Sequence, residues 1–526
     1  MRGTLDVETT ARRDRWAAAR WLSCVVACCA LAGCAGTPRH DADTGAGATG
    51  MAKVAPQRDW SDAVLYFVIL DRFADGSGAN NTNVDRNNPG GFHGGDFAGL
   101  TAQLDEIASL GATAIWITPI ARQIDYCPPA QPPTGVSVPG GWFEHCAFHG
   151  YWADDYQTID PRFGTEAELK QFVEAAHARG IKVLLDIVYN HAGYDARYLT
   201  SHPQWFRTKP VDCAVDPLTC QVGGLPDFRT ELPEVRDYLL DAQLGLAERT
   251  GLDGFRLDTV KHVEHDFWQL HRRETSSRLG DDFFLLAEVW GGSATVLDEY
   301  FVNDEADAGF DFTFKGSCES FVQGKGRTIA FASYLEKRHK VRPGYHLAHY
   351  LSSHDEPMAL HNLGGDREAF RLCVALQMTS LGIPTIYYGE EVARGGSVWP
   401  LNRNDMPWGD RAVLPGKGVA RDEEMRAYYR KLIEVRRANR ALSVGGFRRL
   451  SSDGDLLVFE RSDPESGNVV VVAVNRGATE AGASVEAPAA WTGGAREALS
   501  GRDATIEGGK LAVRVAPRQA HVYVPR

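Results

Sequence analysis

Three acidic residues stand where apolar runs end, and their chemistry suits cleavage of an acetal. Gly254-Phe-Arg256-Leu-Asp258 closes one run, Phe283-Phe-Leu-Leu-Ala-Glu288 a second, and His354-Asp355 follows Tyr350-Leu-Ser-Ser. Arg256 and Asp258 lie two apart, so on a strand they share a face. A carboxylate beside a fixed guanidinium stays ionised at neutral pH. Glu288 ends an almost wholly apolar segment, where loss of water raises a carboxyl's pKa. Acetal hydrolysis needs such a pair: a charged group at the anomeric carbon and a protonated one that serves the leaving oxygen. The pattern makes Asp258 the nucleophile and Glu288 the general acid and base. Asp355 then binds sugar hydroxyls, and its charge helps Glu288 keep its proton. His191, His262 and His354 can donate to sugar hydroxyls. Taken singly, each residue also fits a structural role, Arg256–Asp258 as a buried pair, Glu288 as a rim salt bridge, the histidines as satisfied core residues.

Bringing three strand ends together requires a parallel sheet. The apolar runs are 64–70, 114–117, 183–188, 254–257, 283–287, 309–314, 350–352 and 385–388, with amphipathic segments such as Glu166-Ala-Glu-Leu169-Lys-Gln-Phe172-Val173-Glu-Ala-Ala176 between them. Eight such units predict an α/β fold, a (β/α)8 TIM barrel, whose chemistry sits where the strands end. Residues 191–228 are an oversized connection after the third strand, rich in turn residues, and read as a small inserted domain. After about Arg437, short runs such as Asn468-Val-Val-Val-Val-Ala-Val474 alternate with turn residues and predict a C-terminal antiparallel β-sandwich over 438–526. The barrel takes 59–437.

The N-terminus reads as a leader. Arg12, Arg13, Arg15 and Arg20 precede the apolar stretch 21–33, too short to span a bilayer comfortably. It closes in Leu31-Ala32-Gly33-Cys34, which resembles the bacterial lipobox. The expectation is a signal peptide over 1–33, lipidation at Cys34 and a Gly/Ala/Thr-rich tether over 34–58. The protein would be exported and anchored to the cell envelope by lipid (at the outer membrane in a Gram-negative host); an ordinary cleaved leader is the alternative. Export permits disulfides. Cys127 with Cys146 and Cys213 with Cys220 flank short loops and are expected to pair, while Cys318 and Cys373 are expected free and buried, or else paired together. A net charge of −13 without a basic tract in the body of the chain argues against nucleic acid and allows a neutral substrate such as sugar.

The acids sit in segments that resemble the signature regions of the α-amylase family, glycoside hydrolase family 13. Asp186-Ile-Val-Tyr-Asn190-His191 resembles the first region, Gly254 to His262 the second, Glu288-Val-Trp290 the third and Ser353-His354-Asp355 the fourth. His149-Gly-Tyr151-Trp152 is similar to the segment whose Tyr stacks on the sugar at the cleavage point, and Leu225-Pro-Asp227-Phe228 to the fifth region. The resemblance implies an α-amylase-like retaining enzyme acting on α-1,4-glucosidic bonds of starch or maltodextrin. It makes His149, Tyr151, His191, Arg256, Lys261, His262, His354 and Arg403 substrate-binding residues. It also implies calcium between barrel and insertion, held by Asn190, Asp227 and the main-chain oxygen of His262. A second calcium candidate is the loop with Asp75, Ser77, Asn80, Asn81, Gly94 and Asp96, similar to one in cyclodextrin glucanotransferases and neopullulanase-like enzymes; a metal-free turn is its alternative. The rivals are cyclodextrin glucanotransferase, cyclomaltodextrinase or neopullulanase, and a non-catalytic glucan-binding lipoprotein. One terminal β-domain counts against the first, and retention of all three acids against the last. Two departures stand out. Ser353 replaces the usual Asn, and Trp399-Pro400-Leu-Asn402-Arg403 carries Trp399 where many relatives have an Asp that grips the donor sugar.

Overall fold

The computed structural model describes residues 60–409 and 420–526; the expected leader, the lipidated Cys34 and the tether lie outside them. Eight parallel strands close into a barrel: β1 (Leu65–Val68), β2 (Ala114–Ile117), β3 (Lys182–Ile187), β4 (Gly254–Leu257), β5 (Phe284–Ala287), β6 (Ala308–Phe310), β7 (His346–Tyr350) and β8 (Ile383–Tyr387). β1 pairs with both β2 and β8, which closes the ring. Every residue of β1, β2, β4, β5 and β8 is buried, so these strands read as near-continuous apolar runs, interrupted by Arg256 and Thr385, rather than alternating ones. Helices cover the outside. The one over Glu166–His177 starts on a capping box, Thr165 with Glu168, and buries Leu169, Phe172, Val173 and Ala176.

Two strand expectations need correction. The run 309–314 contributes only β6, because the Asp311 carboxylate accepts from the Thr313 N–H (3.1 Å) and hydroxyl (2.6 Å) and turns the chain into the helix Thr313–Val322. The seventh strand begins earlier than 350 and ends there. Its His349 is fully buried, lying 3.1 Å from Arg338 and 3.0 Å from the Gln377 carbonyl, and a polar residue so placed hides the strand from an apolar scan.

The insertion 191–228 carries little regular structure. It holds a single helical turn at Tyr198–Ser201, two short 3-10 turns and isolated bridges His191–Asp227 and Phe206–Phe228. Both expected disulfides form, Cys127–Cys146 and Cys213–Cys220, and Cys318 and Cys373 are free and buried. At the C-terminus a six-stranded and a three-stranded antiparallel sheet face each other. The strand Leu456–Asp463 serves two cores. Leu456 and Val458 pack toward the smaller sheet, while Leu457 and Phe459 join the barrel's core. Buried Arg461 fastens this joint, donating to the carbonyls of Thr379 (2.7 Å) and Gly445 (2.7 Å).

Candidate active site

Strand register places the acids. Asp186 on β3 is the partner of Arg256 on β4, and Leu257 is the partner of Ala287 on β5. One step further, Asp258 and Glu288 are lateral neighbours, with the Asp258 N–H on the Ile187 carbonyl (3.0 Å) and the Glu288 N–H on the Leu257 carbonyl (2.9 Å). Side chains alternate along a strand, so Asp186, Arg256, Asp258 and Glu288 face the same side, the barrel interior. Arg256 Nη1 lies 2.6 Å from Asp258 Oδ1 and 2.9 Å from Asp186 Oδ1, and Nη2 lies 3.3 Å from Glu288 Oε2. Neighbouring parallel strands are roughly 4.8 Å apart, close to the separation of about 5 Å that lets one carboxyl attack while the other donates.

One guanidinium cannot neutralise three carboxylates, so protons must be retained. Burial pushes Glu288 up to about 8; Asp258 and Asp355 push the same way, and Arg256 opposes them. Asp186 is raised to about 7 by burial, again against Arg256. Asp355 is held below the ordinary carboxylate range: burial alone would raise it, but His354, Arg403 and Arg256 outweigh that. Its side chain is 34% exposed, open to the cleft. Thr259 sits at φ +49°, which costs a β-branched residue energy, and this turn aims its N–H at Glu288 Oε2 (2.8 Å).

The sugar-binding candidates gather around these acids. The Tyr151 hydroxyl donates to Asp186 Oδ2 (2.7 Å). His149, held neutral by burial, accepts the Tyr151 N–H on Nδ1 (3.1 Å), so its proton is on Nε2, which has no partner. His354 places Nε2 3.2 Å from Asp355, and Arg403 donates to the His354 carbonyl (2.9 Å) and to Asp355 (3.2 Å). His191 and His262 are more committed than expected. His191 Nε2 lies 3.2 Å from the Tyr151 carbonyl. His262 Nδ1 lies 2.8 Å from the Pro217 carbonyl and 3.6 Å from Cys220 Sγ, so the disulfide loop fixes its ring and leaves only Nε2 for a ligand. Lys261 stands in the half-buried turn after Asp258. Sequence reasoning passed over Asp186 and Trp116 as site residues; the Trp116 Nε1 proton goes to Asp186 Oδ2 (3.0 Å). A lone acid inside an apolar strand was the available signal for Asp186. Trp290, 50% exposed two residues beyond Glu288, offers an aromatic face at the rim.

The residues expected to hold calcium offer a cation three oxygens, although Asp227 Oδ2 is already paired with Arg207 (2.9 Å). His191 is kept neutral chiefly by burial. Its Nε2 faces a carbonyl and must carry the proton, so Nδ1 can only accept. The Asn190 amide nitrogen, 3.3 Å away, therefore faces Nδ1. That orientation leaves Asn190 Oδ1 3.2 Å from Asp227 Oδ1 and 3.0 Å from the His262 carbonyl, three oxygens with no donor among them. The second loop fits only in part. Asp96 is occupied by the N–H groups of Gly76 (3.0 Å), Ser77 (2.9 Å) and Gly99 (2.7 Å) and by Asn80 Nδ2 (3.0 Å). Asp75 is paired with Arg86, whose guanidinium already supplies positive charge. Asn80 Oδ1 and Asn81 Oδ1 remain without donors, the latter beside Gly94.

The model of the α-amylase catalytic domain matches residues 67–212 and 218–408. The chain belongs to the α-amylase family. It is 29% identical over 493 residues to Neopullulanase 2 of Thermoactinomyces vulgaris, covering 88% of this chain and 78% of that protein. An Anoxybacillus α-amylase structure superposes with TM-score 0.78 at 29% identity, covering 89% of this chain and 99% of the other. A cyclomaltodextrin glucanotransferase with a three-domain ABC distribution shares the fold, with TM-score 0.74 at 24% identity over 88% of this chain and 99% of the other.

Proposed function

We propose that this α-amylase-family enzyme hydrolyses α-1,4-glucosidic bonds of starch, maltodextrins or related α-glucans with retention of configuration. An Asp258 oxygen attacks the anomeric carbon as Glu288 gives its proton to the departing glycosidic oxygen. An ester to Asp258 forms and the glycosidic bond breaks. Glu288, now ionised, takes a proton from water, the water oxygen attacks the same carbon, and the ester breaks. The observation that carries this reading is the single rung shared by Asp258 and Glu288, both gripped by Arg256. Reducing-sugar release from starch tests it, with Asp258→Asn and Glu288→Gln each expected to abolish most activity. Undiminished release by both variants refutes the assignment, whereas no release by the unaltered protein would leave a glucan-binding role.

Ser353 and the likeness to a neopullulanase favour a cyclomaltodextrinase or neopullulanase preference as the second reading. Separating the products from amylose, pullulan and cyclodextrin decides between them, and cyclic dextrins as main products would indicate a transferase. Calcium held by Asn190, Asp227 and the His262 carbonyl would tie the insertion to the strand end that carries Asp258; the Asn80–Asn81 loop is the second candidate. Lipid attachment at Cys34 is part of the same reading, supported by the Leu31–Cys34 sequence. Incorporation of labelled palmitate that survives Cys34→Ala would refute it.

A further inference from the structure

A row of rings starts at the catalytic acids and continues past the residues assigned so far. Centroids step from His354 to Tyr151 (5.3 Å), to His149 (5.7 Å), to His145 (5.2 Å) and to Trp399 (5.2 Å). His145 belongs to the loop closed by Cys127–Cys146, and its neighbour Phe143 lies 5.1 Å from Trp399. The loop is firmly seated. The Cys146 N–H donates to the Gly90 carbonyl (2.8 Å) and Asn88 Nδ2 to the Glu144 carbonyl (2.9 Å). A Cβ at Gly90 would come within 2.3 Å of the Glu144 oxygen, so only glycine permits this approach.

His145 Nε2 is buried without a hydrogen-bond partner, as is His149 Nε2 next to it. Buried polar atoms are nearly always paired, and two such orphans side by side, in the row that leads to the catalytic acids, mark a place for ligand hydroxyls. Burial, then the charges of Arg403 and Arg72, push the His145 pKa down to about 3, so the ring is neutral and suits a neutral hydroxyl. The row leaves the catalytic acids through His354, which lies beside Asp355 and Arg403, the groups assigned to the sugar rather than to the leaving oxygen.

We propose that His145 is a specificity residue that binds a hydroxyl of the second glucose unit on the non-reducing side of the scissile bond, with Trp399 as the apolar surface against that unit. This rests on the hydrolase reading above. The loop thus supplies from one element the polar grip that Trp399 cannot.

The test compares p-nitrophenyl α-maltoside, which fills that position, with p-nitrophenyl α-glucoside, which leaves it empty. His145→Ala is expected to lower kcat/KM for the maltoside about five-fold, the worth of one neutral hydrogen bond, mainly through KM. The glucoside rate and the thermal midpoint should stay within a factor of two and a few degrees of the unaltered protein. His145→Gln, which restores a polar atom near Nε2, should recover part of the loss. An equal loss on both substrates, or none on either, overturns the proposal. If the unaltered protein releases no reducing sugar from starch, the hydrolase reading falls and this one with it.

Discussion

Replacing Glu288 by Gln separates proton donation from every other role of the site. The carboxyl is displaced from 4.5 to about 8, chiefly by burial. At pH 7 a group titrating near 8 is roughly nine-tenths protonated, against about one part in 300 for an ordinary glutamate. The site thus raises its competent fraction by about 300-fold, on the order of 3 kcal/mol. A sugar leaving group needs that proton, whereas fluoride does not. Glu288→Gln should therefore lose about 1,000-fold or more in kcat/KM on maltoheptaose, yet form the glycosyl-enzyme from α-maltosyl fluoride at close to the normal rate. Asp258→Asn should lose both. The sign of the pH effect follows from the raised pKa: the acid form persists up to about 8, so kcat/KM on maltoheptaose should fall above that pH. This alkaline limb should vanish for the variant with the fluoride. Stopped-flow fluoride release and pH–rate profiles make the measurement. An alkaline limb that survives Glu288→Gln, or one lying near pH 5, refutes the reasoning.

Asp355→Asn removes a negative charge that raises Glu288, so the alkaline limb should move to lower pH; a shift upward contradicts the electrostatic account. Arg256→Met leaves Asp186, Asp258 and Glu288 without their shared counter-charge, and chemical denaturation should show a loss of about 3–5 kcal/mol; unchanged stability at pH 7 counts against the ion cluster. Calcium at about 100 times its dissociation constant should stabilise the protein by about 2.7 kcal/mol, and Asn190→Ala should abolish the response; a midpoint indifferent to chelator would remove the ion from the proposal.

The acids were legible because each is a charged residue closing an apolar run, and the two-residue step from Arg256 to Asp258 fixed their common face. Six of the eight barrel strands fell where apolar runs stood. The two that did not owe their bounds to single polar residues, Asp311 ending β6 through Thr313 and His349 inside β7 with partners from distant segments. The paired cysteines were legible because their loops are short. His145 was not, because nothing in its neighbours in sequence says that Trp399 and His149 will stand beside it. That juxtaposition depends on Gly90, far earlier in the chain.

The proton distribution in the site is a property of barrel closure rather than of any one side chain. Asp186, Arg256, Asp258 and Glu288 come from three adjacent strands, and register alone brings them to one guanidinium. Isolated on its own strand, each acid would meet water and ionise at its ordinary pH. Once the ring closes, water leaves, and a single positive charge must serve three carboxyls. Glu288, linked to Arg256 at 3.3 Å, is raised to about 8 and Asp186, linked at 2.9 Å, to about 7, each chiefly by burial. The proton on the donating acid thus follows from burial set against one shared guanidinium. A change that tilts Arg256, even one confined to Asp186 or Trp116 behind it, should redistribute the protons before it touches the reacting pair.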